Sequence, residues 1–193
     1  MEFSILKNER QKLEIKVKGA SVAMMNALRR SIISDLEAFA IDDVDFYENN
    51  SAMFNDYVAN RLGMMPLTYE ENYADKVEIT LSLNAEGPCM VYSRDLKSSD
   101  ERIKVYNDNI PIMKLGPNQK LRLEAKVTKG TSKQHAKFQS AIASYNYDPE
   151  KKSPEFTFFV ESFNNLSAEE QLLRGLKLLQ EKAVELGKSK EIK

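Results

Sequence analysis

The sequence is poor in the residue types on which most metal and catalytic centres depend. Cys89 is the single cysteine among 193 residues, His135 is the single histidine, and tryptophan is absent. One cysteine forms no disulfide framework, no Cys-based zinc site and no iron–sulfur ligand set. One histidine leaves a catalytic triad or a His-rich metal site without partners. We therefore predict a protein without a cofactor or metal, and we assign no catalytic residue.

Long apolar runs and an excess of one charge are also missing. No apolar segment approaches the ~20 residues that a bilayer span needs. The N-terminal residues lack a basic-then-apolar leader, so we expect a cytoplasmic protein. The 28 Lys and Arg residues nearly balance the 29 Asp and Glu residues, which gives a formal net charge of −1. A free-standing nucleic-acid binder usually carries a basic excess, so this balance argues against that class.

The succession of strand and helix patterns predicts one domain built from both ends of the chain. Alternating apolar residues predict a hairpin over residues 1–18, and Ser21 can cap a helix that runs to about Leu36. At the other end, a strand precedes a long helix that begins with a Ser167–Glu170 capping box and stops at Gly187. The two ends therefore resemble each other more than either resembles the middle.

The middle of the chain is rich in strand patterns. An extended segment near residues 38–48 precedes a short helix from Phe54 to Leu62, with Gly63 in the position of a C′ residue. Segregated helices and antiparallel patterns indicate an α+β fold. We predict a terminal domain of residues 1–41 and 154–193, with an inserted strand-rich domain of residues 42–153.

The first helix carries a charged residue on its predicted apolar face. A helical wheel places Arg29 in the middle of that face, with Asn26 at its edge and Arg30 toward the side. A guanidinium there either pairs with an internal group or anchors a protein partner, and composition alone does not decide between these interpretations. The apolar residues of this predicted face are Val22, Met25, Ile32, Ile33 and Leu36.

The last helix carries more apolar residues than one sheet face can cover. One set is spaced 4-3-4-3 and predicts a narrow packing seam: Leu172, Leu176, Leu179, Ala183 and Leu186. Leu173, Leu178 and Val184 lie outside that seam, which indicates a second apolar surface against another protein. The alternative is a thick core helix covered by the inserted domain. The pattern leaves open whether the partner is a second copy or a different chain.

Two charged segments suggest other functions. The Asp42–Asp45 segment could hold Mg²⁺ in a phosphotransferase that uses Asp43 and Asp45, although no phosphate-binding loop accompanies it. A solvated acidic edge explains these carboxylates equally well. The basic segment from Lys114 to Lys137, which contains His135, could bind nucleic acid in a homodimer or could be a solvated face.

Several short motifs, in order along the chain, resemble one family. That family contains the polypeptide called D in archaeal DNA-directed RNA polymerase, the bacterial α subunit and the third-largest subunit of eukaryotic polymerase II. The motifs span most of the sequence, and the first two are specific. They are Asn26–Arg30, Ala40–Val44, Asn49–Ser51, Ala59–Leu67, Val91–Leu96 and His135–Gln139.

The resemblance implies a non-catalytic assembly role and names the partners. The terminal domain would be a dimerisation domain that pairs with the smaller subunit L, through the seam from Leu172 to Leu186. The heterodimer would be the platform for the large catalytic subunits, with small subunits N and P joining. Matching positions imply contacts to the large subunit or its small neighbours at Asn26, Arg29, Arg30, Asn50, Ser51, Arg61, His135 and Lys137.

The sequence also departs from the family pattern. Some members carry a cysteine-rich iron–sulfur domain or a zinc loop, which Cys89 alone cannot support, so the resemblance implies a metal-free version. Asn60 stands where relatives often have His before the Arg. No bacterial-type linker and DNA-binding domain follows the last helix, so we expect little or no direct DNA contact.

Overall fold

The computed structural model describes residues 1–73, 78–151 and 154–188. Its contacts divide the chain into a terminal unit, Met1–Glu37 with the described residues from Thr131 onward, and a central unit, Ala38–Gly130. Helices and largely antiparallel sheets are segregated, which confirms the predicted α+β class. The strands are β1 Glu2–Glu9, β2 Lys12–Lys18, β3 Glu37–Asn49, β4 Ile79–Glu86, β5 Cys89–Tyr92, β6 Lys97–Ser98, β7 Pro111–Leu115, β8 Lys120–Thr131, β9 Ala141–Tyr147 and β10 Glu155–Ser162. The α-helices are α1 Val22–Arg30, α2 Asn55–Gly63 and α3 Ala168–Lys188.

The terminal unit is a four-stranded antiparallel sheet in the order β1-β2-β10-β9, with α1 and α3 packed on one face. Alternate residues of β2 and β10 point into the core, as their period-two pattern predicts. Gly175 of α3 lies so close to the turn that follows α1 that a Cβ there would be 2.5 Å from Ile32 Cγ1. The core contains Leu13, Ile15, Val17, Met25, Leu28, Ile32, Leu36, Phe156, Phe158, Val160 and Leu172.

The division of the chain differs from the predicted one by four residues at its first boundary, which follows Glu37 rather than Ile41, and by more at its second. We predicted that the inserted domain extends to residue 153, whereas the described residues from Thr131 to Lys151 belong to the terminal unit. The reason is that β9 pairs with β10 along its whole length, from Ala141 opposite Ser162 to Tyr147 opposite Phe156. Ser153 itself and residues 189–193 of the predicted terminal domain lie outside the described residues.

Local hydrogen bonds begin both long helices where the sequence predicts. Ser21 Oγ accepts a hydrogen bond from the Met24 amide at 3.2 Å, which caps α1. The predicted capping box of α3 is confirmed, because the Ser167 amide donates to Glu170 Oε2 at 2.6 Å and the Glu170 amide donates to Ser167 Oγ at 3.2 Å. The predicted stop at Gly187 is wrong, since α3 continues through that residue to Lys188.

The first helix changes its winding after Arg30. Residues Ser31–Asp35 form a π-helical turn, and the chain leaves the helix at Leu36. The hydroxyl of Ser34 donates to the carbonyl oxygen of Arg30 at 2.6 Å within this turn. The predicted end near Leu36 is therefore confirmed, although a regular α-helical wheel does not apply beyond Arg30.

The central unit contains a sheet in the order β3-β8-β4-β6, a two-stranded sheet of β5 and β7, and α2. Alternating residues of β4 and β8, such as Leu81 and Leu123, are buried as predicted. The α2 helix lies within a residue of its predicted position, but Gly63 is its last helical residue rather than the residue after it.

Candidate protein-interaction surfaces

Arg29 lies at the edge of the buried face of α1, half-buried, rather than in its middle. Its Nε and Nη2 donate to Asn26 Oδ1 at 3.3 and 3.0 Å, so its partner is an amide and not an internal carboxylate. The predicted face was wrong because it omitted Leu28, which is 4% exposed and shifts the buried face away from Arg29. Val22 is accordingly exposed, and Ile33 falls in the π-helical turn.

Arg30 completes a small polar group with Asn26 and Arg29 on the last turns of α1. The Arg30 side chain is exposed and, within the described part of the chain, forms neither a hydrogen bond nor an ion pair. The structure therefore brings the three residues together, with Arg29 oriented by Asn26 and Arg30 available to a partner.

The seam of α3 separates into a covered half and an uncovered half. Leu172 is buried, and Leu176 and Leu179 are partly buried against the core of their own unit. Ala183 is exposed and Leu186 is 63% exposed. The prediction that the whole seam faces a partner is therefore corrected, because its first half packs on the chain's own sheet. Two residues outside the seam, Leu173 and Val184, are exposed as well.

The edge strand β1 exposes further apolar side chains. Phe3 and Ile5 are paired with Val17 and Ile15 of β2, so they point to the helix-covered face of the sheet. Both remain 62% exposed, because the chain's own helices do not extend over β1. We call these exposed residues, together with those of the second half of α3, the uncovered apolar surface: Phe3, Ile5, Ala183, Val184 and Leu186.

Asp35 ties α3 to the π-helical turn. Its carboxylate accepts from Lys133 Nζ at 2.6 Å and from Lys182 Nζ, and its side chain is only 13% exposed. Burial alone would raise the pKa of Asp35, but the hydrogen bonds from the two lysines outweigh it and hold that pKa below its ordinary value. Lys182 lies between Leu179 and Ala183, so this cluster holds α3 where its covered half ends.

We expect Asp35→Asn to destabilise the chain by about 1–2 kcal/mol at pH 7 and by much less at pH 3. The folded-state pKa is lowered, so the ion pairs stabilise the fold above the unfolded pKa of about 4 and lose this effect as pH falls through the folded value. Urea unfolding of both proteins at the two pH values measures the difference. Glu181→Gln, an exposed change on the same helix, serves as the control. An equal cost at both pH values would contradict the assignment.

The remaining predicted interface residues are mostly engaged in local structure. Asn50 Oδ1 accepts from the Lys120 amide at 2.5 Å, and Ser51 Oγ donates to Asn49 Oδ1 at 2.6 Å. His135 Nδ1 accepts from the Lys137 amide at 3.1 Å and caps a short 3₁₀ turn. The side chains of Ser51 and His135 therefore shape turns, and that of Asn50 links the end of β3 to the start of β8.

Arg61 and its surroundings on α2 form a more open feature. Arg61 Nη2 donates to the carbonyl oxygen of Pro111 at 2.6 Å, and the side chain is otherwise exposed. Phe54, the residue that precedes α2, is 75% exposed. Tyr57 and Met64 are also exposed, by 64% and 55%. Sequence reasoning missed this group, although its 3-4-3 spacing with Arg61 was visible.

The two charged segments are largely paired within the chain. Asp45 binds Lys126 at 2.9 Å, and no group of three His, Cys, Asp or Glu side chains in the described ranges could hold a metal ion. In the basic segment, Lys120 pairs with Glu86, Lys133 pairs with Asp35, and the guanidinium of Arg122 lies 5.4 Å from the Tyr47 ring centroid. The charges of both segments are therefore partly compensated within the chain.

A comparison with known protein families identifies the family of this chain. The model of the RNA polymerase Rpb3/RpoA insert domain matches residues 44–147, more than half of the chain. The chain belongs to the Rpb3/RpoA family of RNA polymerase subunits. No helix of the described residues is long and apolar enough to cross a membrane.

Archaeal members of the family are similar over most of the chain. A DNA-directed RNA polymerase subunit Rpo3 from Thermococcus kodakarensis is 46% identical over 154 residues, which are 76% of this chain and 60% of the relative. The Rpo3 subunit of Pyrococcus furiosus is 43% identical over 76% of this chain and 59% of the relative. That of Methanocaldococcus jannaschii is 43% identical over 85% of this chain and 83% of the relative. The chain thus spans about three-fifths of the length of the first two relatives.

Proposed function

We propose that this chain is the non-catalytic assembly-platform component of an archaeal DNA-directed RNA polymerase, the polypeptide otherwise called D. In this proposal it pairs with the smaller subunit L and then recruits the large catalytic subunits, with subunits N and P joining. The chain contributes no catalytic residue and no cofactor, makes little or no direct contact with DNA, and acts in the cytoplasm. Polymerase activity belongs to the complex.

The uncovered apolar surface carries this proposal. Large apolar side chains on β1 and on the second half of α3 are left exposed by the terminal unit itself. Exposed apolar patches on folded proteins mark interaction sites. Permanent complexes typically bury more than roughly 2,000 Å² of such surface. A family of polymerase subunits supplies obligate partners that would cover it.

The polar group on α1 supports the second half of the proposal. Asn26, Arg29 and Arg30 present two guanidiniums, and the amide of Asn26 fixes one of them in place. A pre-oriented guanidinium loses little side-chain entropy when it binds a carboxylate or a backbone carbonyl, and it can do so bidentately. This group therefore suits a contact with a large subunit better than a place in the core of its own unit.

Co-expression with subunit L tests the proposal. We expect a stoichiometric one-to-one complex on gel filtration with light scattering, and we expect the chain alone to self-associate or aggregate. The purified heterodimer should then bind the large catalytic subunits. A chain that remains a monodisperse monomer in the presence of an equimolar amount of L would overturn the proposal.

A further inference from the structure

The short helix α2 is apolar over a wider arc than its own unit covers. Val58 and Leu62 are fully buried. Next to this buried side, four exposed residues fall within about 80° of one another at 100° per residue; two lie within α2, and Phe54 and Met64 flank its first and last helical residues. We call them the α2 stripe: Phe54, Tyr57, Arg61 and Met64. The acidic residue Asp56 lies about 140° from Arg61 around the helix, so the polar side of α2 is separate.

The residue types of the α2 stripe are those that dominate the energetics of protein interfaces. Tyr, Phe, Met and Arg are enriched in interface cores, and Tyr and Arg are enriched among the residues that contribute most to binding. A single exposed apolar residue needs no explanation. Here three large ones surround an Arg, and the rings of Phe54 and Tyr57 are in contact range, with their centroids 6.4 Å apart. Such a pair has less conformational freedom to lose on binding.

Arg61 determines the charge of the partner. Its guanidinium is held by the Pro111 carbonyl oxygen at 2.6 Å, and its contacts within the described residues are to neutral groups only. The remaining N–H groups of the guanidinium match the geometry of a carboxylate. A cation at the centre of an apolar stripe therefore favours a partner that presents an acidic side chain between apolar ones.

A shallow cavity beside Arg61 gives the surface its shape. It has a volume of about 250 Å³, and its walls are Asn60, Arg61, Met64, Met65, Ile110 and Pro111. Four of these six residues are apolar, so the cavity suits an apolar side chain placed next to the carboxylate that binds Arg61. Concave apolar sites of this kind hold the anchor residues of interfaces.

We propose that the α2 stripe is a docking site for an acidic–apolar segment of another polymerase subunit. A carboxylate of that segment binds Arg61, and an apolar side chain next to it fills the cavity between Met64 and Pro111. The inference rests on the proposed assembly role, because it takes the partner from the polymerase complex. It adds Phe54, Tyr57 and Met64 to the interface, and it specifies the chemistry of the segment that they bind.

Reconstitution from purified subunits tests this surface. We expect Tyr57→Ala and Arg61→Glu each to weaken binding of the chain–L heterodimer to the remaining subunits at least tenfold, while L pairing and the melting temperature stay unchanged. Tyr57→Phe should retain binding, and Asp56→Asn, on the polar side of α2, is the matched control. Wild-type affinity for both stripe variants, in an assay where Arg29→Ala fails to recruit the large subunit, would overturn this inference alone. Failure of the wild-type heterodimer to bind any subunit would reject the proposed function as well.

Cross-linking identifies the chemistry of the partner. A benzophenone amino acid in place of Tyr57, activated in the reconstituted polymerase, should capture a peptide that contains Asp or Glu beside apolar residues. Replacing that acid with Lys should restore binding to Arg61→Glu by at least tenfold. Capture of a peptide without an acidic residue, capture of nucleic acid, or failure of the charge exchange would each overturn the proposal.

Discussion

Leu186→Glu will leave the terminal unit folded and abolish its one-to-one complex with subunit L. The side chain is 63% exposed in the isolated chain, so the substitution removes little from the core. In the complex, a carboxylate would replace an apolar contact and would have to be buried without a partner. We expect at least a hundredfold loss of affinity, about 3 kcal/mol, measured by gel filtration and by titration calorimetry.

Substitution at Leu186 rather than at Leu176 distinguishes an effect on pairing with L from an effect on folding. Leu176→Glu, which the seam pattern alone would suggest, should yield insoluble or unpaired protein, but Leu176 is partly buried against its own core. Its failure would therefore not distinguish a damaged fold from a damaged interface. Gln180→Glu introduces the same charge at an exposed polar position of α3 and should pair normally. A stoichiometric Leu186→Glu heterodimer would remove α3 from the pairing surface.

Arg29→Ala should have the opposite effect, with normal pairing to L and impaired recruitment of the large catalytic subunit. The guanidinium is half-buried, and its hydrogen bonds go to Asn26, so its removal leaves the core of α1 intact. Loss of a pre-oriented anchor that binds a buried polar group costs on the order of 2–5 kcal/mol, much of it from the partner group left unpaired. Co-purification of the heterodimer with the large subunit, followed by quantitative binding, measures this effect.

Two further variants sharpen that test. Arg29→Lys keeps the charge but loses the planar fork, and we expect it to restore only part of the binding. Arg10→Ala removes another exposed arginine, whose side chain donates to the Asn165 carbonyl oxygen at 3.2 Å, and should behave like wild type. Normal recruitment by Arg29→Ala would show that the α1 group is not an anchor.

Local patterns made much of the fold predictable from the sequence. The alternation of Leu13, Ile15 and Val17 identified a half-buried strand, and the Ser167–Glu170 pair identified the start of α3 to the residue. These signals depend on neighbours in the sequence alone. The same is true of the short motifs along the chain, which indicate the correct family without any knowledge of the fold.

Features that depend on distant contacts were not predictable. The polar segment after Tyr147 looks like a domain linker, and composition does not reveal that β9 pairs with β10 across it. The π-helical turn has no sequence signal, and it changed the face on which residues after Arg30 lie. On α3, burial stops between Leu179 and Ala183, which only the tertiary structure shows.

The exposed edge strand β1 has a consequence for protein homeostasis. It offers one row of unsatisfied backbone groups along with Phe3 and Ile5, a combination that templates intermolecular strand addition. A polypeptide that has not bound its partner subunit would be degraded by proteases or would aggregate into inclusion bodies. The cellular concentration of this polypeptide should then depend on the amount of its partner subunit. Depletion of the partner should lower the level of this polypeptide without any change in its messenger RNA.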